Sequence, residues 1–248
     1  MEIEVVTLFP EMIREALQHG IVGRAQQRGL LRVGTEDPRA HTVDVHHTVD
    51  DRPYGGGPGM VMKPEPLGAA IAAAAARLPA GSVRIALSAQ GQPLSHERVR
   101  ALALSPGLLL VAGRYEGIDE RVLEAEVDLE LSIGDYVVSG GELPALVLID
   151  AVTRHLHGAL GDERSAQQES FSAGLLDWPH YTRPEQYGGR RVPAVLLSGD
   201  HAAIDRWRLK QALGRTWMRR RELLAGVNLD AQRAALLQEF LREQESET

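Results

Sequence analysis

The 248-residue chain contains no cysteine. That excludes disulfides, thiolate zinc sites and thiol nucleophiles, and it suits a reducing compartment. No uncharged apolar run reaches the roughly 18 residues that a membrane-spanning helix needs. The amino terminus, Met1 to Val6, has no basic stretch followed by an apolar core, so no signal peptide is expected. Internal repeats and low-complexity tracts are also missing. The glycine-rich stretch Asp50 to Met60 lacks the Gly-Lys-Ser/Thr ending of a phosphate-binding P-loop. No strand is followed by Gly-x-Gly-x-x-Gly and a later acidic residue, which removes a dinucleotide-dependent oxidoreductase. A cytoplasmic protein with no membrane partner is the expectation.

What is present is globular. The chain is 44% hydrophobic and 25% charged, and it is long enough for one large core or two modest ones. A formal net charge of −7 argues against unspecific coating of nucleic acid. Charge is unevenly spread, however. Between Ile204 and Arg221 stand Arg206, Arg208, Lys210, Arg215, Arg219, Arg220 and Arg221, against Asp205 alone. This is either a solvated helix face or a basic patch.

Met1 to Phe9 reads as a strand, and Pro10 opens a helix over Glu11 to His19. Val43 to His47 reads as a short extended segment. Asp50 to Met60 holds four glycines and two prolines and cannot be regular structure, whether it serves as a substrate lid or a passive loop. Pro66 to Leu78 is alanine-rich and helical. Val83 to Ser88 is a strand, Ala89 to Pro93 a loop, and Ser95 caps a helix to about Leu104. Leu108 to Ala112 has the unbroken apolar character of a strand buried on both faces. Val127 to Leu131 is extended.

Ser132 to Pro144 follows as a tight loop whose glycines, Gly134, Gly140 and Gly141, let a ligand approach the backbone, with Pro144 in the first turn of the next helix. Glu142 to His157 is apolar nearly all round, so it is buried in the core or against another subunit. On it, Asp150 and Arg154 stand four residues apart: a helix ion pair, or an arginine oriented by a carboxylate at a pocket edge. Strands alternating with helices make an α/β fold with a mostly parallel sheet, and ligands bind such sheets at the carboxyl ends of strands. Three such ends are rich in glycine, serine or polar residues: Leu87-Ser88, Gly113 to Glu116, and Ile133 to Gly141.

The periodicity stops at Gly161. Residues 161–174 read as an interdomain linker between a domain over 1–160 and a small all-α domain over 175–248. Helices are expected over His201 to Leu213 and Asp230 to Glu243, with Asp230 as a cap. Trp207 and Trp217 belong either to that domain's core or to a base-stacking surface.

Together these blocks resemble the bacterial tRNA (guanine-N1)-methyltransferases of the SPOUT class, the trefoil-knotted methyltransferases. The resemblance runs nearly end to end: Leu8 to Met12, Asp50 to Met60, Gly113 to Val122, Ser132 to Pro144, Leu175 to Pro184 and Trp207 to Gln211. It implies methyl transfer from S-adenosylmethionine to N1 of the guanosine at tRNA position 37. It also implies a homodimer with active sites at the subunit interface, and a deep knot that general topology rules would never suggest. Motif positions carry donor binding to Leu87, Gly113, Tyr115, Glu116, Ile133, Gly134, Asp135, Tyr136, Val137, Val138, Gly140, Gly141 and Pro144. The family's arginine matches Arg154. Its aspartate general base falls on Glu169, one methylene longer, with Asp177 as the fallback. Arg206, Arg208, Lys210 and Arg215 are the expected phosphate contacts, and the linker is expected to order when tRNA arrives. The resemblance also implies dependence on Mg2+, but no carboxylate cluster names its ligands, so no metal site is assigned. Two other readings stay open: a SPOUT enzyme for another RNA nucleotide, or an RNA-binding member that has lost catalysis.

Overall fold

The computed structural model describes residues 1–161 and 168–247, the side chains of 246 and 247 excepted. The chain divides into two compact units, Met1–Glu163 and Arg164–Thr248. The expected linker falls in part on residues 162–167, which lie outside the described residues.

The first unit is built on a five-stranded sheet in the order β2-β1-β6-β5-β7. The strands are β1 (Glu2–Val6), β2 (Arg32–Glu36), β5 (Val83–Pro93), β6 (Gly107–Ala112) and β7 (Leu129–Ser132), and every pairing is parallel. A separate two-stranded ladder joins β3 (Asp50–Asp51) to β4 (Val61–Met62). Alternation sorts side chains to the two faces. On one face Ile3, Val5, Leu108, Leu110 and Leu131 pack against α1 (Pro10–Ala16), α2 (Gly20–Gln27), α4 (His96–Ala103) and α6 (Glu142–Thr153). On the other, Val6, Leu109 and Val111 meet α3 (Pro64–Ala75) and α5 (Glu120–Glu126). Two covered faces explain the unbroken apolar run of β6, all six residues of which are buried.

Several sequence expectations need correction. Val43 to His47 is not extended: the Asp44 carboxylate accepts from His46 N (2.9 Å) and Thr48 N (3.0 Å), closing a local turn. The strand of that region is β2, an edge strand too polar to stand out. Residues 89–93 are not a simple loop. β5 runs on to Pro93, with its register broken so that Leu87 and Gln92 both pair with Leu131. Gly91 makes this possible, since a Cβ there would lie 2.5 Å from Leu131 N. Helices α2 and α5 were not anticipated. Helix α6 stops at Thr153 with Arg154 as its C-cap, and within one chain its Leu143 and Val147 are half-exposed while Ala145, Leu148, Ile149 and Val152 are buried.

The second unit is not all-α. An antiparallel hairpin, β8 (Gln186–Tyr187) with β9 (Arg190–Arg191), precedes α7 (Ala194–Leu197), α8 (His201–Arg219) and α9 (Ala231–Glu247). Leu213, Leu236 and Leu237 form its core, with Trp217 half-buried against them. Asp230 does cap α9, accepting from Arg233 N at 2.8 Å.

Candidate functional site

A cavity of about 380 Å³ opens at the carboxyl ends of β5, β6 and β7 and the amino end of α6. Its walls are Leu87, Gly113, Tyr115, Glu116, Ile133, Gly134, Tyr136, Val137, Val138, Gly140, Gly141 and Pro144, joined by Ser88, Gln90, Ile118 and Ser132. Of the donor-binding residues expected from the sequence, Asp135 alone is outside the lining.

Main chain makes much of this cavity, and the glycines are why. A Cβ at Gly141 would meet Ala112 Cα at 2.6 Å, so no other residue lets α6 begin against the end of β6. Gly141 N donates to Gly113 O at 2.8 Å and pins that approach. The β7–α6 loop is folded on itself: Ser132 Oγ donates to Gly134 O (3.0 Å), and Tyr136 N donates to the same oxygen (2.9 Å). Such a cradle suits a flat ligand with polar edges.

Tyr115 holds a left-handed backbone (φ 62°) on the cavity wall. Burial, reinforced by the Asp50 carboxylate, pushes its phenol above the usual value. The glycine-rich stretch is rooted at the same wall, because Glu116 N donates to Met60 O (3.0 Å) and Met62 N to Gly117 O (2.9 Å).

Behind the cavity lies a charge cluster that the sequence reading missed. Glu142 is completely buried. Its carboxylate accepts from Arg114 Nε (2.8 Å) and from Thr7 Oγ1 (2.8 Å). Arg114 also donates to Ser139 O (3.2 Å) and lies 4.3 Å from the Phe9 ring centroid. A buried carboxylate persists only if it is paired and hydrogen-bonded. Here the pairing ties β1, β6 and the cavity loop together. The one sequence signal was an acid at the head of an apolar helix.

The expected catalytic pair does not line the cavity. Arg154 caps the far end of α6, and a rise of 1.5 Å per residue puts it about 20 Å along the helix from Gly141. Glu169 lies half-buried in a turn of the second unit. Asp177, the fallback, accepts from Trp178 N (2.8 Å) and pairs with His180 Nε2 (2.8 Å), so both its oxygens are engaged locally.

The basic residues of α8 also divide. The Lys210 side chain is only 9% exposed, and Nζ donates to Glu239 (2.9 Å) and Glu243 (2.6 Å) of α9. Arg206 makes a two-pronged bond to Glu239 (3.1 and 2.6 Å). These two residues clamp α8 to α9. Arg208 stacks 5.0 Å from the Trp178 ring centroid and lies 3.4 Å from the exposed Asp205 carboxylate, and Arg215 is half-buried without an ion pair among the described residues.

A parallel α/β unit with a main-chain-lined cavity at its strand ends is a binding fold for a small polar ligand. Comparison with known proteins makes this specific. The family model described as "tRNA (Guanine-1)-methyltransferase TrmD" matches residues 1–226. A tRNA (guanine-N(1)-)-methyltransferase of Methylococcus capsulatus is 58% identical over 243 residues, covering 98% of this chain and 97% of that one. Those of Halorhodospira halophila (59%; 99% and 93%) and Pseudomonas entomophila (58%; 99% and 98%) are similar. The chain belongs to this family of tRNA (guanine-N1)-methyltransferases.

Proposed function

We propose that the chain transfers a methyl group from S-adenosylmethionine to N1 of the guanosine at tRNA position 37, beside the anticodon, in the cytoplasm. The observation that carries this reading is the cavity, where three strand ends, two of them marked by glycines, meet the rings of Tyr115 and Tyr136. The Ile133–Val138 loop would hold the adenine edge of the donor, and Gly140 and Gly141 let that loop pack against Arg114 and the end of β6. The donor supplies a methyl already activated by its sulfonium, so the protein's task is at the acceptor. Glu169 takes the N1 proton, a role typically contributing ~10²–10⁴-fold. Arg154 faces the guanine carbonyl oxygen as negative charge grows there. No Mg2+ ligands are assigned.

This chemistry requires a homodimer. Arg154 and the cavity stand at opposite ends of α6 in one copy. A second copy, packed over the half-exposed Leu143 and Val147, would bring its own Arg154 to the cavity. The reading also includes a deep trefoil knot around β5 and β7, which the close approach of Gly91 to Leu131 suits. For the tRNA, Arg208 and Arg215 are the α8 phosphate contacts, setting register rather than sequence.

Labelled methyl transfer to tRNA transcripts carrying guanosine or adenosine at position 37 tests the reading. Only the guanosine transcript is expected to be labelled. Arg154→Ala and Glu169→Gln are each expected to lower kcat by about 10²-fold or more. A Glu169→Gln enzyme at full rate removes Glu169 as the base, and equal labelling of both transcripts removes the assigned nucleotide.

A further inference from the structure

The α8 residues first expected to grip RNA are in part tied up, yet a second basic element in the same unit is not. Residues 181–191 are exposed throughout. Between Tyr181 and Val192 stand Arg183, Arg190 and Arg191, with Glu185 as the one acid. None of the three arginines has an ion pair among the described residues. The hairpin between them is well defined: Gly188 (φ 56°) and Gly189 (φ 77°) form the two-residue turn that favours positive φ at both positions, and Val192 N donates to Glu185 O at 2.9 Å. Tyr187 pairs directly with Arg190, which puts ring and guanidinium on one face, while Gln186 pairs with Arg191 on the other. The Tyr187 side of this pair is 82% exposed, so its ring packs on almost nothing. The root is anchored to α8, where Tyr181 lies 6.4 Å from Trp207 and Arg208 covers Trp178.

We infer that the β8–β9 hairpin is an RNA-docking element, with Arg190, Arg191 and Arg183 on tRNA phosphates and Tyr187 stacked on an unpaired base. An arginine already bonded to a carboxylate must break that bond to take a phosphate, whereas these three need not. An exposed tyrosine beside them adds the π-face on which single-stranded bases stack. The hairpin contributes nothing to the unit's core, so its composition is free to serve binding. The inference rests on tRNA being the substrate.

The test uses the full chain and a tRNA transcript. Arg190→Ala/Arg191→Ala is expected to raise the Kd for tRNA and to flatten its dependence on salt by roughly one to two units of log K against log[salt]. Tyr187→Ala is expected to weaken binding roughly five- to hundredfold with the salt slope kept. Arg190→Lys/Arg191→Lys should restore most of the slope. The KM for S-adenosylmethionine, the Tm and the sedimentation coefficient should not move. Unchanged tRNA binding and slope in the alanine variants, with the parent protein binding normally, overturns the inference. A shift in sedimentation overturns it too, because the hairpin would then be a protein contact. Failure of the parent protein itself to bind or methylate tRNA instead overturns the functional reading beneath it.

Discussion

Among the described residues of the first unit two carboxylates are wholly buried, Glu142 at the carboxyl end of the sheet and Glu4 in the middle of β1. Both are paired with arginine, but the partners differ. Glu142 is held by Arg114, whose side chain is 19% exposed, and by the hydroxyl of Thr7. Glu4 is held by Arg32 (3.2 Å) and Arg77 (2.7 Å), with side chains 49% and 39% exposed, and Arg77 also bonds Glu36 (2.7 Å). Gly34 lets the Glu4 carboxylate lie over β2, since a Cβ there would sit 2.3 Å from Oε1. The same chemistry therefore serves two ends. Around Glu4 it braces a sheet edge. Around Glu142 it fixes the loop that walls the cavity.

That comparison breaks most sharply at the cavity's own backbone. Gly141→Ala forces the start of α6 off β6, and loss of measurable S-adenosylmethionine binding by calorimetry is the expected result. Arg114→Ala comes next. It strands Glu142 without its charge partner and should destabilise the protein by about 3–5 kcal/mol in urea melts. Because Arg114 also holds Ser139 O, the KM for the methyl donor should rise as well. Glu4→Gln leaves two arginines that reach solvent, so a smaller loss of about 1–3 kcal/mol is expected, with donor KM unchanged. A donor KM that rises equally in the Glu4 and Arg114 variants would erase the distinction between the two clusters.

The smallest effect concerns the second unit. Hydrogen bonds from Arg206 and Lys210 hold the Glu239 carboxyl at about 2, below its usual 4.5. A carboxyl depressed on folding adds stability that is fully present above about pH 4.5 and is lost as pH falls toward 2. Glu239→Gln should therefore flatten part of the acid-side decline in stability while leaving the neutral-pH methylation rate intact. An unchanged acid limb would show that the α8–α9 clamp contributes little, as exposed pairs often do.

Legibility in the sequence followed the range of the interaction. The β6 strand, the Ser95 and Asp230 caps and the glycine-marked strand ends were readable because each depends on neighbours within a few residues. The edge strand β2 was not, since its pairing with β1 rather than its own composition makes it a strand. Helix α5 hid behind a glycine-rich approach. The pairing of Lys210 is not legible either, because Glu239 and Glu243, which bond it, lie some thirty residues along the chain.

By itself, then, the order of residues determined where backbone could come bare to a ligand, because glycine's freedom and a strand's apolar run are local properties. Only the tertiary structure decided which charges are available. A guanidinium or ammonium group has the same chemistry everywhere, and whether a carboxylate already stands beside it is settled by chain segments far away in sequence. That is why the glycine-marked strand ends are legible in the sequence, while the Arg114–Glu142 tie and the hairpin arginines without an ion pair among the described residues are not.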